Sequence, residues 1–325
     1  MKKLVFIFLL SLIDPWIIGQ QLPIYSQYLY NKFLINPAVA GSDGYTSFNL
    51  TAREQWVGYD GAPRTFSFSM QTRMLKKKFE VKQSHLNRTV YRPKSDGKVG
   101  LGGYVFSDKN GLVQRTGFQI SYAYHMWLQN STQFSLGLAL TGYQYKINEK
   151  EINFEDPNEP WLNNDLRQGI FVPDATFGMY LLNAKYSFGF SADQLFKATG
   201  KIGNSAYQNF KMERHYYLFG SYDFSSGTYN IFQPAFLVKM SEEMKPQADI
   251  GITYIYNQDF WAGLAYRTSG ALIVNIGVKY QNFYIGYAFD YTLQEIQRIT
   301  YGTHEITFAI KLGDNSRKYR WLDRY

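Results

Sequence analysis

Apolar and polar residues alternate with a period of two along most of this chain. The stretch "REQWVGYDGAPRTFSFSM", which begins at Arg53, ends in "TFSFSM", where aromatic residues and methionine take every second position and hydroxyl residues lie between them. Successive side chains of a β-strand point to opposite faces, so this pattern predicts a strand with one apolar face. The preceding "GYDGAP" is rich in turn-forming residues, and the whole stretch predicts a β-hairpin.

Alternating segments of this kind recur from residue 45 to residue 312, and fourteen can be counted. Most are about ten residues long, which suits tilted strands that cross a membrane. An even number of antiparallel strands can close into a barrel with both chain ends on one side. The predicted strands cover residues 45–57, 64–74, 98–107, 113–128, 132–147, 174–182, 185–194, 213–224, 228–239, 247–256, 259–268, 270–280, 283–292 and 303–312.

The connections between these segments differ in length according to parity. After the fourth, sixth, eighth, tenth and twelfth segments come the short turns "QNS", "NA", "SSG", "NQ" and "QN". The opposite set contains two long loops, 148–173 and 195–212, and two moderate ones, 240–246 and 293–302. Outer-membrane barrels have short periplasmic turns and long extracellular loops. The sequence therefore predicts an all-β, transmembrane outer-membrane β-barrel of about 14 antiparallel strands, with both termini periplasmic.

The apolar face of each strand is expected to look outward into lipid. The segment 283–292 sets Ile285 and Tyr287 on one face against Gly286 and Asp290 on the other. Small or polar residues on one side and large apolar ones on the opposite side match a barrel with a polar interior.

Composition supports a membrane barrel rather than a helical membrane protein. Aromatic residues make up 18% of the 325 residues, with 28 Tyr and 25 Phe, yet the mean hydropathy is −0.32. A polar average with many aromatic residues is typical of transmembrane barrels, whose lipid-facing positions alternate with lumenal ones.

The N-terminal residues "MKKLVFIFLLSLI" predict export. Lys2 and Lys3 precede an apolar run, and Gly19 offers a small residue at which a signal peptide could be cut. An uncleaved anchor helix is the weaker alternative, because the run is too short to span a bilayer. The chain has no cysteine, which excludes a lipoprotein anchor, disulfides and thiolate chemistry.

The chain is accordingly divided into four parts. These are a signal peptide (1–19), an N-terminal segment (20–44), a transmembrane β-barrel (45–313) and a basic periplasmic tail (314–325). The N-terminal segment is rich in aromatic residues, which disordered tails usually lack. It is therefore expected to be ordered, either as a plug in the lumen or packed across the periplasmic mouth.

Charges of both signs are predicted on the lumenal face in equal number. Such a balance indicates a packed or plugged lumen, because a selective pore shows an excess of one sign. The predicted inward cations are Arg53, Arg115, Arg267, Lys279 and Lys311, and the predicted inward anions are Asp193, Asp223, Asp249, Asp290 and Glu305.

Signals of catalysis are weak, and no enzyme, cofactor or metal site is predicted. The four histidines are scattered without metal-ligand spacing. His125 faces inward in the predicted register and is interpreted as a buried, hydrogen-bonded residue. Six carboxylates in the loop 148–165 could hold calcium, but they lack regular ligand spacing, and solvation explains them better.

Charged segments supply the candidate partner-binding residues. Residues 76–98 carry eight Lys or Arg against two acids and are predicted to form one long connection on the short-turn side. They are predicted to dock a periplasmic protein or acidic lipid head groups, with a solvated loop as the alternative. Nucleic acid is excluded as a partner outside the cytoplasm. The predicted contact residues are Tyr59 and Asp60 in the first turn, Lys76, Lys77, Lys78, Arg88 and Arg92 in the basic segment, and Trp161 in the acidic loop.

Four stretches together resemble one protein family. "YSQYLYNKFLINPAVAG" from Tyr25, the hairpin that begins at Arg53, "VGLGGYVFSDKNGLVQRTGFQISYAY" from Val99, and "GTHEITFAIKLG" near the end are similar to the PorP/SprF family. Its members are outer-membrane components of the type IX secretion system of Bacteroidetes. The resemblance runs from about residue 25 to residue 313.

This resemblance implies a non-enzymatic barrel that assists secretion or surface anchoring of a large cargo, such as a gliding adhesin, through the cargo's C-terminal targeting domain. It also implies contact with outer-membrane lipid and with a periplasmic secretion-machine lipoprotein or a peptidoglycan-binding adaptor. The alternative function from another class is an outer-membrane channel or transporter for small molecules, because fourteen strands can enclose a conduit.

Overall fold

The structure is a computed structural model, and it describes residues 25–83, 89–128, 132–147, 169–197, 199–200, 210–211, 213–242 and 245–313. For 75–83, 89–97, 199–200 and 210–211 it describes the backbone alone. The predicted signal peptide, the predicted basic tail, Arg88 and Trp161 lie outside the described residues, and the division of the chain into four parts stays a prediction.

Fourteen antiparallel strands form a closed barrel, as the alternation predicted. Each strand pairs with the next along the chain, and β14 returns to pair with β1, where Arg53 lies opposite Glu305. A three-residue strand, Phe224–Ser226, extends one turn by pairing with β9, and Thr199–Gly200 pairs with Phe210–Lys211 in a long loop. The barrel strands are β1 Thr46–Glu54, β2 Arg64–Gln83, β3 Thr89–Asn110, β4 Val113–Trp127, β5 Gln133–Ile147, β6 Ile170–Leu182, β7 Tyr186–Asp193, β8 His215–Tyr222, β9 Asn230–Ser241, β10 Gln247–Tyr256, β11 Phe260–Arg267, β12 Ala271–Tyr280, β13 Phe283–Thr292 and β14 Thr303–Leu312.

Among the residues that the structure describes, the helical ones form short 3-10 turns at Lys32–Leu34, Pro37–Val39 and Glu295–Ile299. Within the described ranges, no helix is long and apolar enough to cross a membrane.

The outer face of the barrel is apolar and the inner face is polar, as predicted. Phe66 and Phe68 on β2 are 54% and 46% exposed, whereas Ser67 and Ser69 between them are 3% and 1% exposed. The same alternation holds on β13, where Ile285 is exposed and Gly286 is buried. The large apolar side chains of these strands therefore face the surroundings of the barrel, and in an outer membrane that surrounding is lipid.

The two ends of the barrel differ, and we name them by their connections. The loop end carries the connections 55–63, 148–169, 194–214 and 293–302, and the turn end carries 128–132, 183–185, 257–259 and 281–282. Strand β1 starts and strand β14 ends at the turn end.

The basic segment 76–98 is not a long connection, and this part of the prediction is wrong. Strands β2 and β3 run past the predicted ends of 64–74 and 98–107 and pair with each other as far as Gln83 and Thr89. A register shift lies between Met74 and Lys76. Beyond it, the two strands form a ribbon that projects roughly 25 Å past the turn end at about 3.3 Å per residue. Polar residues were interpreted as a loop, but a two-stranded ribbon outside the membrane needs no apolar face.

Residues 25–44 lie inside the barrel, and we call them the plug segment. Phe33 and Ala38 are fully buried there. A Cβ atom on Gly137 of β5 would lie 2.2 Å from the Ala38 nitrogen, and one on Gly178 of β6 would lie 2.1 Å from Asn36 Oδ1. The barrel wall can approach the plug segment this closely because glycine stands at these two positions.

The plug segment crosses the lumen from one end to the other. Ser26 hydrogen-bonds to Arg53 near the loop end of β1, whereas Asp43 pairs with Lys311 at the turn end of β14, 3.4 Å apart. From Tyr25 onward, the plug segment therefore runs from near the loop end to the turn end, where β1 begins. The prediction that both termini are periplasmic concerns residues outside the described ranges; the first described residue, Tyr25, lies toward the loop end.

Candidate functional site

A cluster of buried charges holds the start of the plug segment against the barrel wall. Glu305 on β14 accepts hydrogen bonds from the backbone N–H groups of Ser26 and Gln27, both at 2.8 Å. Arg53 on β1 donates to the same carboxylate at 2.9 Å. Glu305 is 1% exposed, so these three donors replace the water that a carboxylate would otherwise bind. One wall residue thus fixes two consecutive peptide groups of the plug segment.

The cluster continues across β13, β11 and β10. Asp290 accepts hydrogen bonds from Arg53 at 2.8 Å, from Arg267 at 3.0 Å and from the Ser26 hydroxyl at 2.7 Å. Arg267 also donates to both oxygens of Asp249, at 2.9–3.1 Å. Bidentate arginine–carboxylate pairs of this kind combine strong hydrogen bonds with a fixed geometry.

We call this group the charge cluster, and it brings together five of the ten lumenal charges that the sequence predicted. Its members come from five strands, two of which, β1 and β14, meet only at barrel closure. The sequence placed these five side chains on the inner face but gave no signal that Ser26 joins them. The members are Arg53, Asp249, Arg267, Asp290 and Glu305.

The other five predicted charges lie apart from the cluster. Lys311 pairs with Asp43 at the turn end, and Asp223 accepts a hydrogen bond from Gln233 at 2.7 Å. Arg115 pairs with Asp108 on the neighbouring strand at 2.6 Å. Asp193 lies on the opposite wall, beside a small cavity. Lys279 lies at the turn end, with its ammonium 5.7 Å from the centre of the Tyr284 ring. Asp108 also faces inward and is buried, although it was not among the predicted lumenal anions.

The middle of the plug segment is held by one asparagine. Asn36 Nδ2 donates to the backbone oxygens of Met179 and Phe190 at 2.9 and 3.1 Å, while its Oδ1 accepts from the Ala38 N–H at 2.9 Å. The Ser191 hydroxyl donates to the Ile35 carbonyl oxygen at 2.5 Å. Asn36 therefore caps the short helix Pro37–Val39 and fastens it to β6 and β7.

The last residues of the plug segment are bound by β2, β4 and β5. His125 is fully buried, with its Nε2 atom 3.0 Å from the Ala40 carbonyl oxygen and its Nδ1 atom 2.7 Å from the Ser135 hydroxyl. Arg73 donates to the Ser42 carbonyl oxygen at 3.3 Å and to Gln133 at 2.8 Å. The interpretation of His125 as a buried, hydrogen-bonded histidine is confirmed.

One lysine of the plug segment is also enclosed. The Lys32 ammonium donates to the Ser187 hydroxyl at 3.1 Å.

Tyr59 and Asp60 lie at the loop end, in the first turn. Both are exposed, and Tyr59 is 48% exposed. Gly58 and Gly61 on either side of them have φ values of +94° and +72°, which glycine adopts most readily. The turn is tied to the connection before β14 by a hydrogen bond from the Val57 N–H to the Gly302 carbonyl oxygen at 2.9 Å.

Lys76, Lys77, Lys78 and Arg92 lie at the other end, on the β2–β3 ribbon. Its register sets Lys78 opposite Lys94 and Glu80 opposite Arg92. The predicted partner-binding residues are therefore split between the two ends of the barrel and do not form one site.

The chain matches one family model over residues 17–310, and that family is described as the type IX secretion system membrane protein PorP/SprF. The chain belongs to the PorP/SprF family. The resemblance drawn from the sequence is thereby confirmed, and with the closed barrel it places this PorP/SprF protein in the outer membrane. The family is one of secretion-system membrane proteins, and catalysis forms no part of its description.

Several solved barrels are similar to this PorP/SprF protein in outline. The toluene transporter TodX of Pseudomonas putida is 10% identical, with 86% of this chain and 92% of that chain covered and a TM-score of 0.45. The toluene transporter TbuX of Ralstonia pickettii is 13% identical, with coverages of 86% and 92% and a TM-score of 0.44. Sequence identities and TM-scores this low give no information about the substrate or the partners of this chain. No curated protein matches the chain.

Proposed function

We propose that this PorP/SprF protein is a non-enzymatic outer-membrane component of type IX secretion that assists export or surface anchoring of a large cargo protein. The loop end receives the cargo's C-terminal targeting domain, and the turn end contacts a periplasmic lipoprotein or a peptidoglycan-binding adaptor. Cargoes of this kind include gliding adhesins. Family membership supports the secretion role, and the cargo and the adaptor are part of the proposal.

The plug segment inside the lumen is the observation that favours a secretion role over small-molecule transport. The plug segment runs the length of the lumen and is bound to the wall near the loop end, in the middle and at the turn end. Two cavities beside it have volumes of only about 70 and 60 Å³. A barrel that conducted small molecules in this state would need a continuous wet path.

The ribbon formed by β2 and β3 supports a partner at the turn end. It projects beyond the barrel rim and carries six of the basic residues of 76–98 on one strand pair, with both of its edges free of barrel strands. Clustered positive charge attracts an acidic partner and accelerates its association. The free edges add a second mode, since an exposed strand edge can pair with a strand of another protein.

Reversal of the basic charges tests the turn-end contact. We expect a variant with Glu at Lys76, Lys77, Lys78, Arg88 and Arg92 to lose co-purification of its periplasmic partner while the barrel keeps its heat-modifiable migration. Lys185→Glu, an exposed change in a turn-end connection, serves as the control and should retain the partner. Retention of every partner by the five-residue variant at physiological salt would contradict the proposal.

A conductance measurement separates secretion from transport. In planar bilayers the intact protein is expected to show no steady open pore, and cells that lack it should fail to display one large surface protein. Steady conductance by the intact protein, together with normal surface display in its absence, would favour the channel instead.

A further inference from the structure

A cavity near the loop end lies between the plug segment and the wall opposite the charge cluster. It is formed by residues of β3 to β8 together with Tyr25, Leu34 and Ile35 of the plug segment. Its volume of about 70 Å³ has room for roughly two water molecules at about 30 Å³ each, or for the end of one long side chain. Asp193, one of the lining residues, is only partly buried.

Aromatic rings make up much of the cavity wall. A cation over the face of an aromatic ring is attracted by the ring's quadrupole, and the attraction grows when water is excluded. The rings belong to Tyr25, Tyr104, Phe106, Tyr143 and Tyr217.

Two carboxylates face the same space, and one of them has an oxygen with no partner. Asp174 is 3% exposed; its Oδ1 accepts from the N–H groups of Ala175 and Phe196 at 2.7 and 3.1 Å. Its Oδ2 is buried without a hydrogen-bond partner. A buried carboxylate oxygen without a donor costs free energy, which a bound donor would recover. The second carboxylate is Asp193.

The Asp174 Oδ2 atom has no donor although cations lie nearby, whereas the Asp193 carboxylate has the Thr176 hydroxyl and the Lys239 ammonium as neighbours. Arg115 pairs at 2.6 Å with Asp108, which lies outside the lining. Lys239 is likewise outside the lining, with its ammonium 5.9 Å from the centre of the Tyr217 ring. Among the described residues, no group of three or more carboxylate or imidazole side chains is placed to hold a metal ion, whereas aromatic rings with two carboxylates are typical of sites for organic cations.

We propose that this cavity is a binding site for one organic monocation, the ammonium or guanidinium group of a lysine- or arginine-like side chain presented at the loop end. Asp174 and Asp193 supply the charge, and the surrounding rings supply the walls. The site does not depend on the proposed secretion role, because it follows from the cavity and its lining alone. If the secretion role holds, a basic residue of the exported cargo is the natural occupant.

Two matched probes test this site on the full-length protein in detergent. N-acetyl-lysine methylamide carries the cation, and N-acetyl-norleucine methylamide has nearly the same shape without it. Saturation-transfer NMR should show binding of the lysine probe and roughly tenfold weaker binding of the norleucine probe, because the charge-assisted hydrogen bond is lost.

Isosteric variants assign the binding to this cavity. Asp174→Asn with Asp193→Asn should weaken binding of the lysine probe roughly tenfold. Asp223→Asn, a change to a buried lumenal carboxylate at the turn end, should leave binding unchanged. Heat-modifiable migration verifies that each variant is folded. Equal binding of the two probes, or an unchanged affinity in the double variant, would overturn the assignment.

Discussion

The charge cluster predicts that Glu305 holds the plug segment in place far more strongly than an exposed ion pair could. Glu305→Ala removes the acceptor of two backbone N–H groups and one partner of Arg53. Removing one member of a buried ion pair costs about 3–5 kcal/mol. The lower end of that range applies because Arg53 keeps its bond to Asp290 at 2.8 Å.

A cost of about 3 kcal/mol corresponds to a more than hundredfold rise in the opening of the plug segment, since each 1.4 kcal/mol is tenfold. Hydrogen-exchange mass spectrometry of residues 25–44 measures this local opening directly. We expect faster exchange there in Glu305→Ala, with the barrel strands still protected. Glu305→Gln keeps one oxygen acceptor and should show a smaller increase.

The matched control is Glu54→Ala on β1. Glu54 pairs with Arg64 at 2.7 Å, a distance as short as those of the cluster, but the two side chains are 40% and 60% exposed. Exposed pairs contribute about 0–1 kcal/mol because water and salt screen them. If Glu54→Ala and Glu305→Ala changed the exchange of residues 25–44 by the same factor, the reasoning from burial would be refuted.

Three further predictions concern the plug segment and the orientation. Gly137→Ala should lower the heat-modification temperature, because its Cβ would clash with the Ala38 backbone and overpacking costs about 1–3 kcal/mol. Gly142→Ala on the same strand is the control: its Cβ would contact only the outer ring atoms of Phe171 and Phe118, so the temperature should not change. A thiol reagent that does not enter cells should label Tyr59→Cys on intact cells and leave Ser225→Cys unlabelled. The reverse labelling pattern would show that the barrel has the opposite orientation in the membrane. Deletion of 21–40 should raise conductance in planar bilayers, and an unchanged trace would show that these residues do not close the lumen.

Period-two alternation was sufficient to determine the barrel from sequence. In a membrane barrel every strand has one face in lipid and one in the lumen, so each segment carries the same local signal. The apolar face of β2 and the inner face of β13 were both assigned correctly on this basis. The same reasoning failed for the β2–β3 ribbon, because outside the membrane a strand pair has no apolar face to reveal it.

The lumenal charges were found by the same signal, but their partners were not. Alternation placed Arg53 and Glu305 inside, and the closure of the barrel by β14 on β1 then set them in register. Ser26, which joins Arg53 to Asp290, carries no period-two pattern. The role of Ser26 depends on the position that the plug segment, which has no repeating pattern, takes inside the closed barrel.

The sequence by itself therefore determined the barrel architecture, the lipid-facing surface and which residues face the lumen, since these follow from local periodicity. Only the tertiary structure decided which charges meet, that the plug segment descends from the loop end, and that a cavity with an unpaired Asp174 oxygen remains beside it. Several of these features depend on contacts between residues far apart in the chain, such as Ser26 and Glu305, which are 279 positions apart. No local pattern encodes them, because they arise only when the barrel closes around the plug segment.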